Sequence, residues 1–306
     1  MFSDELPDDH RSGYIALIGK PNVGKSTLLN AWLGTKIAPV SAKPQTTRNQ
    51  LLGILTREHV QAIFVDTPGM HLPRTELGEY MVKTAQRAIP DADVLLFMVD
   101  LGTPPTKADR ETAKLFDRLR TPVVLAMNKV DLVAEEDREE RFQQYSELGG
   151  FAHVQAISAL EGQGVPELLE EVIARLPFGP RYYPEDQLSD QQQRFIASEL
   201  IREQLLKALS KEVPHALAVI VDEFLEPEEG PIRISAFIYC EKDSQKGIVI
   251  GRQGSMLKRV GSQARAQLED LLQRQVYLEL WVKVRKNWRR DRRLLRQFGY
   301  DVREAD

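Results

Sequence analysis

The stretch YIALIGKPNVGKSTLLNAWLG, Tyr14 to Gly34, constrains this chain more than any other. An apolar run precedes a glycine, four residues intervene, and Gly24-Lys25-Ser26 opens a segment with apolar residues at helical spacing. The order strand, glycine loop, helix gives the loop a physical use. Its backbone N–H groups and the positive end of the helix can wrap a polyphosphate, Lys25 can reach the outer phosphates, and the Ser26 hydroxyl can bind Mg²⁺. Gly19, Lys20, Pro21, Asn22, Val23, Gly24, Lys25, Ser26 and Thr27 are therefore candidates for the cradle. The bland alternative is a glycine turn that happens to precede a lysine, and the filled fixed positions and their flanks argue against it.

Three more strand ends add to this loop. VQAIFVDTPG predicts a strand from Val60 to Val65 that delivers Asp66, Thr67, Pro68 and Gly69. A carboxylate at the C-terminal end of a strand in an open α/β sheet lies over the ligand crevice, so Asp66 can hold the water shell of the magnesium and the Gly69 amide can sense a terminal phosphate. DVLLFMVD, Asp93 to Asp100, is almost continuously apolar, as a strand covered on both faces should be. PVVLAMNKVD then delivers Asn128, Lys129 and Asp131. A carboxylate can accept two hydrogen bonds from the N1 and 2-amino groups of guanine, a donor pair adenine lacks, so Asp131 would be the base selector; taken alone, the stretch would equally make a solvated Asn-Lys-Asp turn. Asn128 would hold the base and a neighbouring loop, and the stem of Lys129 would cover the ring. VQAISAL, with a strand at 154–157, ends in Ser158, Ala159 and Leu160, where a backbone amide could meet the guanine oxygen.

Taken together, these four loops resemble those of the translation-factor-like class of GTPases. The resemblance implies GTP/GDP as ligand with Mg²⁺ on Ser26, Asp66 and a threonine of the loop SAKPQTTRNQ, residues 41–50. Thr47 is favoured because related GTPases place their ligand just before the arginine, with Thr46 as the alternative. Lys25, Thr47 and Gly69 would then serve the reaction. Where Ras-like proteins carry a water-positioning glutamine, this chain has Met70, which cannot orient water by a hydrogen bond. Asn22 matches an asparagine that in similar GTPases helps to bind K⁺ beside the phosphates; it would equally serve as a local cap of the loop.

At 306 residues, 42% of them hydrophobic, the chain is long enough for two domains. FGPRYYPEDQLSD breaks both helix and strand, so the expected division is 1–180, a linker over 181–193, and a second domain over 194–306. In that second part the pattern predicts a helix to about Ser210, strands at 215–224 and in PIRISAFIYCE, a helix–turn–helix, and a last strand VYLELWVKV. Ile250, Gly251, Arg252, Gln253, Gly254 and Ser255 form its centre. Two glycines bracketing two polar residues allow close backbone approach, the next helix offers N–H groups to phosphates, and Arg252, Lys258 and Arg259 add charge. This stretch resembles the GXXG loop of a KH domain, and the element order fits type II. The expected fold is thus α/β: a phosphate-loop domain with a mostly parallel sheet, followed by an α+β KH-like domain. Beyond it, WVKVRKNWRRDRRLLRQFGY interleaves aromatics with basic residues. Trp281, on a strand, is expected in the core; Trp288 fits a core or a stacking platform equally.

Joined in this order, the two parts resemble the Era family of bacterial GTPases over almost the whole chain. That resemblance implies recognition of the 3′ end of 16S rRNA, association with the 30S ribosomal subunit or its precursor, and partial peripheral attachment to the cytoplasmic face of the inner membrane. Composition is neutral on partners, since the formal net charge is only −4. Cys240 is the only cysteine, which excludes an internal disulfide framework, and the acidic start MFSDELPDDH does not read as a signal peptide, so a cytoplasmic location is expected. A small-molecule kinase is disfavoured by the guanine motif. A module in which GTP is merely structural is the other alternative, separable by phosphate release.

Overall fold

The computed structural model of the chain describes residues 6–73, 75–189 and 193–300. Two compact units make it up: residues 1–35, 47–72 and 81–190 form one, and 36–46, 73–80 and 191–306 the other. The second unit thus includes two short segments from the N-terminal half of the chain.

In the first unit the near-continuous apolar runs become the strands of one sheet. They are β1 (Arg11–Ile18), β2 (Leu51–Arg57), β3 (Val60–Asp66), β4 (Val94–Asp100), β5 (Val123–Asn128) and β6 (His153–Ala156), in spatial order β2-β3-β1-β4-β5-β6. All neighbours run parallel except β2, which pairs antiparallel with β3 at the edge. β2 has no counterpart among the elements expected from sequence. Every residue of β3 and β5 is buried, as strands covered on both faces require. The order reverses at β1, whose neighbours are β3 and β4, and this opens a crevice at its C-terminal end. Among the described residues four helices lie wholly in this unit, α1 (Lys25–Leu33), α3 (Lys107–Ala113), α4 (Glu135–Ser146) and α5 (Val165–Ile173), while α2 (Glu76–Arg87) is divided between the two units after Tyr80.

The stretch expected to be a linker is held onto this sheet as far as residue 189. Buried Gln61 accepts from the N–H groups of Tyr182 and Tyr183 through Oε1, at 2.7 and 2.9 Å, and donates to the Tyr183 carbonyl through Nε2 at 2.8 Å. Ile54 N–H donates to the Leu188 carbonyl at 2.9 Å. Prolines stop regular structure here without freeing the backbone, because side chains and the edge strand satisfy its polar groups.

The second unit follows α6 (Gln193–Ala208), β7 (Ala218–Leu225), β8 (Ile232–Cys240), α7 (Asp243–Ile250), α8 (Ser255–Leu272), β9 (Val276–Val284) and α9 (Arg292–Gln297). β7 starts three residues later than the pattern predicts, since Pro214–Ala216 form a single tight turn. β8 lies between antiparallel β7 and parallel β9, and the parallel pairing needs the crossover that α7 and α8 supply. The two tail tryptophans part company: Trp281 lies outside the core expected for it, and Trp288 takes the core option of the two left open. Trp281 is 57% exposed, because Leu278, Leu280 and Val282 take the inner face of β9 and alternation turns Trp281 outward with Tyr277 and Lys283. Trp288 is wholly buried, donates Nε1–H to the Ala216 carbonyl at 2.9 Å, and packs with Phe298 and Tyr300. The aromatics at 288, 298 and 300 are core; between them Arg290, Arg292, Arg293 and Arg296 are exposed, and half-buried Arg289 pairs with Glu241 at 2.6 Å.

Candidate nucleotide site and nucleic-acid groove

The phosphate loop joins β1 to α1, with Gly24 at φ 106. A Cβ on Gly24 would stand 2.1 Å from Asn128 Nδ2, so both conformation and close approach demand glycine. Asn128, at the end of β5, donates Nδ2–H to the Val23 carbonyl at 2.7 Å, and its Oδ1 accepts from Ala159 N–H at 2.8 Å. One buried carboxamide therefore ties the phosphate loop to the loop after β6. The Ala159 N–H thus bonds Asn128, and Leu160, which follows it, is exposed. Lys129 turns the chain at φ 69 and pairs with Asp100 at 2.6 Å. Asp131 then lies exposed in the turn Val130–Leu132.

Lys25 is buried, and its ammonium donates to the carbonyls of Gly19 at 3.1 Å and Lys20 at 3.0 Å. Burial pulls its pKa down to about 8, against the opposing pull of the Asp66 carboxylate. Lys20, by contrast, offers the loop only its backbone. Its ammonium pairs with buried Asp109 at 2.7 Å and donates to Thr106 Oγ1 at 3.2 Å. Sequence reasoning missed Asp109, although Thr106 and Asp109 form a capping box that the TKAD spacing could have announced.

Three oxygens converge where β3 ends. Ser26 Oγ donates to Asp66 Oδ2 at 2.7 Å; Thr47 Oγ1 lies 3.2 Å from the same oxygen and 3.0 Å from Ser26 Oγ. Burial raises the Asp66 pKa, opposed by the charge of Lys25 and by these hydroxyls. Asp66 Oδ1 is buried with no hydrogen-bond partner among the described residues. An all-oxygen cluster with an orphaned carboxylate oxygen suits a hard cation, and Mg²⁺ fits it. Of the two threonines, Thr47 faces this cluster, while Thr46 Oγ1 donates to the Lys43 carbonyl at 2.7 Å.

The remaining members divide between ligand and scaffold. Thr67 is spent on the fold, donating to the Leu17 carbonyl at 2.6 Å. Met70 N–H donates to the Gly19 carbonyl at 3.0 Å and its side chain enters the core, so the position after Gly69 presents no polar group to water. Asn22 stands at φ 64, a left-handed conformation asparagine tolerates better than most residues.

In the second unit, Arg252–Gly254 make a single tight turn between α7 and α8. Gly251, at φ 75, would place a Cβ 2.8 Å from Met256 N, so the backbone passes itself too closely for any side chain. Half-buried Ile250 closes α7, while Arg252, Gln253, Ser255 and Lys258 are exposed, and no side chain caps the first N–H groups of α8. Arg259 differs from Lys258: its guanidinium folds back and donates to the Ala208 carbonyl at 3.3 Å. A groove of about 450 Å³ continues from the loop between α8 and β9, lined by Gly254, Leu257, Lys258, Gly261, Ser262, Arg265, Leu278 and Leu280. Gly261, Ser262 and Arg265 were not expected there, yet they follow Leu257 and Lys258 at helical spacing.

A strand–glycine loop–helix unit tied through Asn128 to the loop after β6 fits a guanine-nucleotide hydrolase, and the GXXG groove is that of a KH module; together they make the class a GTPase joined to a KH domain. The family of 50S ribosome-binding GTPases matches residues 14–129, and the KH domain family matches residues 212–289. The GTPase Era of Ruminiclostridium cellulolyticum is 47% identical over 291 residues, covering 95% of this chain and 98% of that protein. The GTPase Era of Staphylococcus haemolyticus is 45% identical over 292 residues, 95% of this chain and 98% of its own. Among solved structures, a variant of Aquifex aeolicus Era bound to GDP·AlF4⁻ is 38% identical with a TM-score of 0.88, covering 95% of this chain and 99% of that one. Era in complex with MgGDPNP and nucleotides 1506–1542 of 16S ribosomal RNA is also 38% identical, with a TM-score of 0.89 and the same coverage. The chain belongs to the Era family and is a GTPase.

Proposed function

We propose that this GTPase binds the 3′ end of 16S rRNA in the groove between α8 and β9 and assists assembly of the 30S ribosomal subunit, with GTP and GDP setting the strength of that grip. The single observation that carries this reading is the relative of the same fold, 38% identical over 95% of this chain, that holds both MgGDPNP and nucleotides 1506–1542 of 16S rRNA. The Arg252–Gly254 turn and the uncapped start of α8 offer backbone N–H groups and charge to a strand, and the apolar floor of Leu278 and Leu280 offers a place for bases.

In the nucleotide site, Lys25 and the phosphate loop bind the phosphates, Asp131 reads guanine, and Asn128 keeps the two loops in register. Ser26, Thr47 and Asp66 would hold Mg²⁺, which supplies positive charge to the phosphate oxygens as the terminal bond breaks. Thr47 engages when a terminal phosphate is present. Met70, apolar and buried, cannot orient the attacking water; K⁺ held at Asn22, adding positive charge beside the phosphates where other GTPases use an arginine, is our proposal, and equal turnover in K⁺ and Na⁺ buffers would remove it. Peripheral attachment to the cytoplasmic face of the inner membrane is part of the same proposal; no helix among the described residues is long and apolar enough to cross a bilayer.

The test is RNA binding and phosphate release measured together. An oligonucleotide of the 16S 3′ end should bind more tightly than a scrambled one, more tightly with GDPNP than with GDP, and should change steady-state GTP hydrolysis. Equal binding of both sequences, whichever nucleotide is present, would refute the assignment.

A further inference from the structure

Residues 36–46 belong to the second compact unit, and α6 grips them at three levels. Glu203, fully buried, accepts from Lys36 Nζ at 2.6 Å and from the Val40 N–H at 3.0 Å, and pairs with Lys207 as well. Lys43 Nζ donates to the carbonyls of Leu206 and Leu209, where α6 ends. Arg202, 1% exposed, donates Nε–H to Glu199 Oε1 at 2.9 Å and spends Nη2 on Glu199 Oε2 and on the carbonyl of Thr46. Burying a guanidinium is costly unless its donors are matched; here Nε and Nη2 are matched, Nη2 in part by a loop carbonyl, while buried Nη1 has no hydrogen-bond partner among the described residues.

That carbonyl belongs to the peptide bond that joins Thr46 to Thr47. The peptide unit from Cα of Thr46 to Cα of Thr47 is planar, so fixing the direction of the Thr46 carbonyl also fixes the Thr47 N–H and narrows where the Thr47 side chain can go. Thr47 Oγ1 is the hydroxyl that approaches Ser26 and Asp66. We propose that Arg202 is a positioning residue for the GTPase reaction: by holding the Thr46 carbonyl it places the Thr47 hydroxyl for the magnesium that accompanies a terminal phosphate. This rests on the reading of Thr47 as a magnesium ligand given above.

The experiment compares Arg202→Met, Thr47→Ala and the double variant, reading GDPNP and GDP affinity in Mg²⁺ and hydrogen exchange of residues 44–50 in the nucleotide-free protein. Arg202→Met should weaken GDPNP by about tenfold, the value of one hydrogen bond to a charged group, and leave GDP unchanged. It should speed exchange of 44–50, and in the Thr47→Ala background it should cost GDPNP nothing further, because the two act in series. Equal losses for GDP and GDPNP, or additive losses in the double variant, would make Arg202 a mere structural ion pair. A Thr47→Ala variant that loses GDPNP selectivity beside an Arg202→Met variant that does not would overturn the proposal alone; one that keeps its selectivity would overturn the Thr47 reading and this proposal with it. Should Arg202→Met fail to fold, Glu199→Gln, which keeps the guanidinium but loosens its fork, carries the same comparison.

Discussion

Lys25 is a buried cation whose ordinary pKa of 10.5 is drawn to about 8 by desolvation, and the sign of its pH dependence follows. Between those values the unfolded chain holds more protons at this residue than the folded one, so its contribution to stability rises with pH across that window. Below pH 8 the penalty is of order 3 kcal/mol in the nucleotide-free protein, and the difference between wild type and Lys25→Met in urea unfolding isolates it. Phosphates reverse the balance by favouring the ammonium. GDP affinity should therefore be flat below pH 8 and fall above it by up to about tenfold per pH unit, with proton uptake on binding visible by calorimetry in buffers of different ionisation enthalpy. Asp131 presents the other single-residue test. Replacing it with asparagine removes a charged acceptor from a pair of hydrogen bonds and should weaken GTP by about two orders of magnitude while ATP binding stays as weak as before, read by competition with a fluorescent GDP. Both assignments rest on chemistry that fixes the residue type, and the two predictions test them. The tie between Asn128, Val23 and Ala159 was legible only in outline, since a carboxamide does not announce which loops it will join.

The element scale shows where a linear pattern stops being enough. Strands buried on both faces stood out as apolar runs, and β9 was found at its expected residues, Val276–Val284. The edge strand β2 has apolar residues too, but what makes LLGILTR a strand is its antiparallel pairing with β3, which begins after two intervening residues and which no period within β2 encodes. The tail misleads in the opposite way, because interleaved aromatics and arginines look like a nucleic-acid surface until alternation and packing are worked through. Trp288, wholly buried against Phe298 and Tyr300, should cost about 3–5 kcal/mol when truncated to alanine, whereas exposed Trp281→Ala should shift stability by less than about 1 kcal/mol. Thermal and urea unfolding of the two variants checks the contrast. If Trp281 stacks on RNA, its variant will lose RNA affinity at unchanged stability, a separation that Trp288→Ala cannot give.

At the scale of the whole molecule the formal net charge of −4 conceals a groove that carries Lys258 and Arg265 beside exposed Arg252, so total charge is a poor guide to what the protein attracts. Local charge sets the salt dependence instead, and removing Arg252 or Lys258 should each lower the slope of log affinity against log salt by about 0.7 for single-stranded RNA. The same measurement extends to the link between nucleotide and RNA. If GTP and RNA are coupled, the factor by which GDPNP strengthens RNA binding over GDP must equal the factor by which RNA raises the preference for GDPNP over GDP, because both are sides of one thermodynamic cycle. A coupling of ordinary size is about 1–3 kcal/mol, or about 5–150-fold, well within reach of titrations run in both directions. Agreement of the two factors at a value above one establishes a switch whatever route carries it through the chain. A factor of one in both directions would leave a GTPase and an RNA clamp that share a polypeptide and nothing else.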